Sequence, residues 1–390
     1  MDASSDTFSP DELKVFETYI KDTLYNKGLT TYYLKIPDAN GIELSKICVI
    51  SNNGATANTV ILLDTKYNFK EKEGFKNAIN EIKSLSKSDI NYDDTIRWYF
   101  ICVGHGFGYN IFDSNKNLSL DSIAAQRYKN IIHVSDLTDA FDDMLFTLGI
   151  FNNCDFTLLD NCFILSTKFR YLIAPQNYTA LRLFDIKNFL MELNESISEN
   201  IASFKFSEKV FLQTRERICQ VTTTQPTSKL VGSTIFFFWL EHFILLINKL
   251  NDLSLLLFEK VSSDESTEWY RKIRTALSSS TFDYVDLVNF LTELETLLNP
   301  EINIFVSQIK NEINRFENPR KGVEMTNLLH GISIYLPEYG KNFSKLYNNY
   351  KSDCIKWHSR IKWYVFMESI VNKTKDPSIV RKILNFIGFR

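Results

Sequence analysis

The sequence predicts an α/β protein in which a mostly parallel central sheet is flanked by helices. Residues 59–64 (TVILLD) and 96–103 (IRWYFICV) are largely apolar runs, as expected for strands covered on both faces. The segment between them has apolar residues at helical spacing, so strand, helix and strand alternate along the chain. Residues 156–159 (FTLL) form a third short apolar run, which we interpret as another buried strand.

Length, charge and cysteine content limit which classes of protein this chain can belong to. The chain has 390 residues, of which 44% are hydrophobic, and this is enough for one large domain or two closely packed ones. The formal charge of -3 and the lack of a dense Lys/Arg block argue against a nucleic-acid partner. Six cysteines without a CxxC pair are typical of reduced thiols. The polar, acidic N-terminus lacks the order of a secretory signal, so we expect a cytoplasmic location.

The first elements follow from local patterns. Residues 12–24 have helical spacing and predict a first helix. Residues 30–36 and 44–50 are candidate strands, and Asn40-Gly41 between them is a turn signal. Apolar residues recur every three or four positions over 74–85, which predicts the helix that precedes the strand at 96–103.

A longer helix is predicted from Ser135, as its cap, to Leu148, with Gly149 ending it. Apolar residues form one face of this helix: Leu137, Ala140, Phe141, Met144, Leu145 and Leu148. Four aspartates lie opposite them: Asp136, Asp139, Asp142 and Asp143. We interpret the acidic side as a solvated face, because calcium ligands come from a loop rather than from a helix.

The second half is mostly helical in pattern. Residues 231–247 are strongly apolar, but the run is too short to span a bilayer and contains Glu241 and His242. A buried helix, or a strand followed by a helix, is the better interpretation, and no membrane partner is expected. Residues 331–337 (GISIYLP) alternate strictly and predict a late strand that Pro337 closes.

His105 and Cys162 are the candidate catalytic residues. His105 stands between Gly104 and Gly106 directly after the strand at 96–103, and Cys162 follows the run at 156–159. The carboxyl ends of parallel strands meet at one edge of a sheet, where active sites usually lie. A thiol needs a nearby base to become a nucleophile, and histidine can supply this base. Cys162 follows His105 by 57 residues, and caspases have the same order with a spacing of about 50.

The plainer interpretation is that both residues are structural. A histidine at a strand end is often held by hydrogen bonds, and a lone buried cysteine often acts as a small hydrophobic residue. We interpret His133, His242 and His330 in this structural way. The sequence has no His/Asp/Glu set with the spacing of metal ligands, so neither a metal nor a cofactor is expected.

Six stretches, in order, resemble the clostripain-type cysteine peptidases, which are relatives of gingipains and caspases. These stretches are VGHGFGY (103–109), SDLTDAF (135–141), LLDNCFILS (158–166), YLIAPQ (171–176), FDYVDLVNFLTEL (282–294) and GISIYLP (331–337). The resemblance implies a caspase-like α/β sandwich. It also implies a catalytic core over residues 1–195, followed by a helical part over 196–390 that adds its late strand to the sheet.

The resemblance implies roles for single residues. His105 and Cys162 become the catalytic dyad, and Gly106 and Cys162 supply the N–H groups of the oxyanion hole. Asp160, in the family's Asp-x-Cys pattern, lines a pocket for a basic side chain. Apart from the resemblance, Asp185 is a possible second acidic wall of this pocket. The residues themselves suggest the same for Asp160, because positions two apart at a strand end point to one side. The alternative is that Asp160 only caps the following helix.

The implied function is that of an intracellular caspase-like cysteine endopeptidase that cleaves after Arg or Lys. Its substrate is a protein or peptide, and a regulatory protein partner fits such an enzyme. The polar segment 110–129 contains Lys116, Arg127 and Lys129, so we expect self-cleavage there, between the dyad residues. The alternative function is a non-enzymatic caspase-like interaction module or scaffold.

Overall fold

The structure is a computed structural model. It describes residues 31–35, 46–51, 59–64, 72–89, 97–107, 132–154, 156–176, 186–199, 201–224, 234–261, 270, 272–275, 277, 284–296, 300–317, 329–336 and 361–375. The helix predicted at residues 12–24 lies outside these described residues.

The described strands are β1 (Thr31–Lys35), β2 (Lys46–Ser51), β3 (Thr59–Asp64), β4 (Trp98–Phe107), β5 (Phe146–Cys154), β6 (Phe169–Ala174), β7 (Phe236–Trp239), β8 (Tyr284–Asp286) and β9 (Ser333–Tyr335). The described helices are α1 (Lys72–Asp89), α2 (Val134–Phe141), α3 (Leu159–Leu165), α4 (Ile186–Ser198), α5 (Ser203–Thr224), α6 (Phe243–Val261), α7 (Leu287–Glu295), α8 (Pro300–Glu317) and α9 (Trp363–Lys375).

The chain forms two compact units. The first contains β1 to β7 with helices α1, α2, α4 and α5, and the second contains β8, β9 and helices α6 to α9. The second unit also includes the short segment Leu158–Phe163, which carries most of α3. The predicted domain boundary at residue 195 falls inside α4, within the first unit.

The central sheet of the first unit has the strand order β4-β5-β6-β7. Strands β4, β5 and β6 run parallel, and β7 is antiparallel to β6, so the predicted mostly parallel sheet is confirmed. Strands β1, β2 and β3 are also confirmed, but they form a separate antiparallel sheet. Strand β3 therefore lies outside the parallel sheet, because it pairs with its neighbour β2.

Helices cover the central sheet on both faces. On one face, alternate residues of the strands pack with α4 and α5 in a buried core that includes Leu148, Ile150, Tyr171, Ile173, Phe189, Phe206 and Phe211. The other face has interlocking aromatic rings beside α1 and α2: Phe75, Phe100, Phe141, Phe146, Phe151 and Phe169. The first unit is thus a three-layer α/β sandwich, as predicted.

The helix predicted from Ser135 to Leu148 is too long, and its cap is misplaced. Helix α2 begins after His133, whose N–H donates to the Asp136 carboxylate at 3.3 Å, and Ser135 is buried inside its first turn. The helix ends at Phe141, and Asp142 has a φ of 48°. Residues 142–145 form a turn, and the last three residues of the predicted helix are the start of β5, which the sheet pairs between β4 and β6.

The predicted acidic face is partly neutralised by lysines from α1. Asp136 pairs with Lys72 at 2.6 Å, and Lys83 pairs with Asp142 at 3.1 Å and with Asp143 at 2.5 Å. The last two aspartates lie in the turn after α2 rather than on the helix. These ion pairs join α1 to α2 and to the turn that follows it at the protein surface, where each contributes about 0–1 kcal/mol.

The second unit is mainly helical, as predicted for the second half of the chain. Helix α6 packs against α8 and α9, and α7 packs against α8. The apolar run at 231–247 is confirmed as a strand followed by a helix, namely β7 and the start of α6. The predicted late strand is also confirmed, as β9, but it pairs with β8 in a two-stranded sheet of its own.

Gly149 occupies the middle of β5 and does not end a helix as predicted. A Cβ atom there would lie 2.7 Å and 2.8 Å from two ring carbons of Phe169. These distances are well inside van der Waals contact, so only glycine fits beneath this ring without a shift.

Gly149→Ala should therefore lower the free energy of unfolding by about 1–3 kcal/mol, because overpacking forces the ring or the strand to move. Urea denaturation measures this change. The matched variant Gly149→Ala with Phe169→Leu should lose less than the sum of the two single changes, since the smaller side chain removes the clash. Strict additivity, or an unaffected Gly149→Ala, would contradict this explanation.

Candidate active site

A β-bulge surrounds His105 at the carboxyl end of β4. Val103 pairs with Asn152 and Phe107 pairs with Cys154, so three residues of β4 lie opposite one residue of β5. Gly104, His105 and Gly106 are these three residues. Bulges often redirect a side chain beside an active site, and glycines allow the irregular backbone. The imidazole of His105 itself lies outside the described part of the structure.

The segment before Cys162 is not the strand that the sequence predicts. The N–H groups of Phe156 and Thr157 both donate to the carbonyl of Pro175, at 3.1 Å each. Leu158 forms a single parallel bridge with Ser333, and α3 begins at Leu159. The strand that precedes the cysteine is β5, which ends at Cys154. A four-residue apolar run cannot distinguish a strand from the approach to a buried helix, and here the run leads into helix α3.

Cys162 lies in helix α3 and is completely buried, with 0% of its surface exposed. Burial raises the pKa of the Cys162 thiol far above its ordinary range, and the nearby charge of Asp160 raises it further. Only the thiolate is a strong nucleophile. In this conformation Cys162 is therefore a protonated, covered thiol.

The backbone N–H of Cys162 also has a hydrogen-bond acceptor within the protein. It donates to the carbonyl of Leu158 at 2.9 Å, which is the hydrogen bond that closes the first turn of α3. An oxyanion hole needs N–H groups that point at the substrate oxygen. The predicted oxyanion role of Cys162 therefore requires this turn to open. Gly106, the other predicted donor, lies in the bulge of β4.

Asp160 does not have the geometry from which its role was predicted. It lies in the first turn of α3 and only 8% of its surface is exposed. Because residues two apart on a helix point in nearly opposite directions, Asp160 and Cys162 do not share a side as they would at a strand end. Asp185, Lys116, Arg127 and Lys129 lie outside the described residues, so their predicted roles stay predictions.

The pair formed by Asp286 and His330, in the second unit, was not found by sequence reasoning. Asp286 Oδ1 lies 3.0 Å from His330 Nδ1, and Asp286 Oδ2 accepts the N–H of His330 at 2.7 Å. The prediction that His330 is structural agrees with these contacts. The signal for Asp286 was its place before the apolar helix α7, where a carboxylate commonly caps.

No three or more His, Cys, Asp or Glu side chains of the described residues are arranged to hold a metal ion. Within the same residues, no helix combines the length and the apolar character needed to cross a membrane.

The burial of Cys162 predicts slow alkylation. In the intact native chain at pH 8, iodoacetamide should modify Cys162 at least tenfold more slowly than the half-buried Cys219. Because the pKa of the Cys162 thiol is raised, its rate should still be rising between pH 9 and 10, where an ordinary thiol levels off. Peptide mapping by mass spectrometry measures both rates, and the urea-unfolded chain is the control. Equal rates at the two cysteines in the native chain would contradict the buried conformation.

Comparison with known proteins gives a structural match only. No family model matches the chain, and no curated protein matches it. The structure is similar to that of an inactive zymogen C11 protease from Parabacteroides distasonis, with a TM-score of 0.57 and 14% identity over 91% of this chain and 93% of that one. It is also similar to a secreted C11 cysteine protease from Bacteroides thetaiotaomicron, called iotapain, with a TM-score of 0.54 and 13% identity over 92% of this chain and 96% of that one. A structure of a secreted C11 cysteine protease from the same organism, in complex with an irreversible peptide inhibitor, matches with a TM-score of 0.54 and 11% identity over 91% and 94% of the two chains. The chain therefore has the α/β fold of the C11 cysteine proteases.

Proposed function

We propose that the chain is a cysteine endopeptidase whose catalytic dyad is His105 and Cys162, and that the described conformation is its latent state. The observation that carries the proposal is the position of the two residues on a C11 protease fold. His105 lies in the bulge that ends β4, and Cys162 follows β5, the parallel neighbour of β4, by eight residues.

The proposed chemistry uses both side chains in turn. The imidazole of His105 takes the thiol proton of Cys162, and the thiolate attacks the carbonyl carbon of the scissile peptide bond. The imidazolium then gives its proton to the leaving amine, which leaves a thioester on Cys162. Water, activated by the same imidazole, attacks the thioester and releases the acid and the free thiol. This cycle requires the imidazole to come within hydrogen-bond reach of the sulfur.

The buried thiol explains why the proposed enzyme would be latent. Cys162 has no exposed surface, its pKa is raised, and its N–H is bound to Leu158. Each of these features opposes catalysis, and one opening of the first turn of α3 would relieve all three. We propose that brief opening of this turn lets the chain cut itself in segment 110–129, at Lys116, Arg127 or Lys129, and that the cut then keeps the turn open. One similar structure was solved as an inactive zymogen.

We further propose that substrates are proteins or peptides with Arg or Lys before the cleaved bond. Asp160 is the acidic residue nearest to Cys162 in the described sequence, and Asp185 is a second candidate for the pocket. A carboxylate pairs with these basic side chains through charge-assisted hydrogen bonds. A similar C11 protease has been solved with a peptide inhibitor. A cytoplasmic location and a regulatory protein partner complete the proposal.

The alternative function is a non-enzymatic interaction module with the same fold. The burial of Cys162 favours it, because a covered thiol with a satisfied N–H is typical of a structural cysteine. The two functions differ in one respect that is easily measured, which is whether the thiol ever reacts with a peptide.

Replacement of either dyad residue tests the proposed chemistry. Cys162→Ala should abolish hydrolysis of a fluorogenic peptide that ends in Lys, and His105→Ala should reduce it by about 10³-fold or more, since members of one catalytic unit fail together. The matched controls Cys219→Ala and His242→Ala remove the same chemical groups from half-buried positions and should keep the wild-type rate. Activity in purified Cys162→Ala equal to that of the wild type would rule out this dyad.

The self-cleavage proposal predicts fragments of roughly a third and two-thirds of the chain, as expected for a nick near residue 128. Cys162→Ala should remain one band on a denaturing gel. Lys116→Ala, Arg127→Ala and Lys129→Ala together should block the cut, whereas Arg127→Lys with Lys129→Arg should keep it, because the charge is preserved. Cleavage should also speed alkylation of Cys162 at least tenfold, because the thiol becomes exposed. Equal nicking of Cys162→Ala would point to a contaminating protease and contradict self-cleavage.

A further inference from the structure

Three hydrogen-bond donors converge on the carboxylate of Asp286. The N–H of Asn289 donates to Oδ1 at 2.9 Å and thereby caps the N-terminus of α7. The N–H of His330 donates to Oδ2 at 2.7 Å, and Nδ1 of His330 lies 3.0 Å from Oδ1. Because a carboxylate oxygen accepts hydrogen bonds, His330 Nδ1 carries the proton. The carboxylate is 2% exposed and the imidazole is 24% exposed, so the pair is largely shielded from water.

This pair fixes the beginning of β9. Gly331 follows His330 with a φ of 101°, which favours glycine and turns the chain into the strand. Asp286 itself pairs with Ser333, and the N–H of Leu287 donates to the carbonyl of Ile332 at 2.9 Å. The register of β9 on β8 is thus held by side-chain and backbone bonds at the same end.

The same end of β9 contacts the segment that carries Cys162. Ser333 forms the parallel bridge with Leu158, and the carbonyl of Leu158 accepts the N–H of Cys162 at 2.9 Å. The bridge to β9 therefore fixes the position of Leu158, and Leu158 in turn fixes the first turn of α3 through its hydrogen bond to Cys162. All of these residues belong to the second compact unit.

We propose that His330 and Asp286 are positioning residues for Cys162. They hold β9 in register, and β9 holds Leu158 through the bridge to Ser333. Leu158 sets where α3 begins and with it the location of the sulfur atom, both while its carbonyl accepts the N–H of Cys162 and after cleavage has broken that bond. The inference deepens the proposed function, on which its catalytic part rests. A displacement of about 1 Å at a nucleophile can cost on the order of 10²-fold in rate. Asp286 and His330 would therefore change the rate of the reaction without contacting the substrate.

Substitutions at His330 separate positioning from general stability. His330→Leu keeps an apolar body of similar size but removes the bond to Asp286 Oδ1. His330→Asn restores a side-chain N–H donor at the same distance from the backbone as Nδ1, so it is the rescuing variant. Asn251→Ala is the matched control, because Asn251 Oδ1 accepts the N–H of Lys362 at 2.6 Å elsewhere in the same unit.

The first readout is hydrogen exchange of the amides in segment Leu158–Phe163, measured by mass spectrometry on the full chain. His330→Leu should raise this exchange at least tenfold and speed iodoacetamide labelling of Cys162. His330→Asn should return both to within about threefold of the wild type. Asn251→Ala should lower the thermal midpoint of unfolding by about as much as His330→Leu does. It should leave the amide exchange of Leu158–Phe163 and the labelling of Cys162 unchanged.

The second readout is peptide hydrolysis by the cleaved enzyme. His330→Leu should lower kcat by 10-fold to 100-fold with little change in KM, because substrate binding is untouched while the nucleophile is misplaced. The positioning inference would be overturned, whatever the activity, if His330→Leu left the amide exchange of Leu158–Phe163 unchanged. It would also be overturned if Asn251→Ala raised that exchange as much as His330→Leu does. Raised exchange with an unchanged kcat would overturn its catalytic part. An inactive wild type with raised exchange in His330→Leu would reject the proposed peptidase but support the coupling of β9 to α3.

Discussion

Strands β4 and β5 pair in parallel from Trp98 and Phe146 to Phe107 and Cys154. The central sheet of the first unit depends on this pairing. It places β5 between β4 and β6, where helices cover both faces of the sheet, and Gly149 of β5 lies beneath the ring of Phe169 of β6. The pairing is interrupted at its carboxyl end, where the bulge contains His105. An interruption at this edge is where an α/β sheet commonly carries its chemistry.

The sequence predicted those parts of the fold that have a strong local signal. The parallel sheet, the strand at 96–103, the late strand and the strand-then-helix at 231–247 all have long or strictly patterned apolar runs, and the structure contains them. The errors came where two patterns compete. The residues of β5 fit a helical face as well as a strand, and only their pairing with β4 and β6 decides between the two. This one error displaced the predicted strand to residues 156–159 and assigned a strand geometry to Asp160.

The choice of His105 and Cys162 came from neighbouring glycines and apolar runs, and it stays a prediction. No local pattern reports that a thiol will be buried, because burial depends on residues that are distant in the sequence. The link from Asp286 and His330 through β9 to Leu158 joins residues far apart in the chain, so it is visible only in three dimensions. We infer that two features act together on Cys162. Burial keeps the proposed nucleophile unreactive, and the contacts of Asp286 and His330 with β9 keep it correctly located.

The most direct test of the central claim is covalent capture by a thiol-reactive peptide that ends in Lys, followed by peptide mapping of the full chain. A peptidase should acquire one adduct, located on Cys162, and the amount should fall sharply in His105→Ala, because the imidazole makes the thiolate. Cys219, which is closer to solvent in the described structure, should remain unmodified at the same probe concentration. No adduct on Cys162 after cleavage of segment 110–129, or equal adducts on Cys162 and Cys219, would contradict the peptidase account and favour the interaction module.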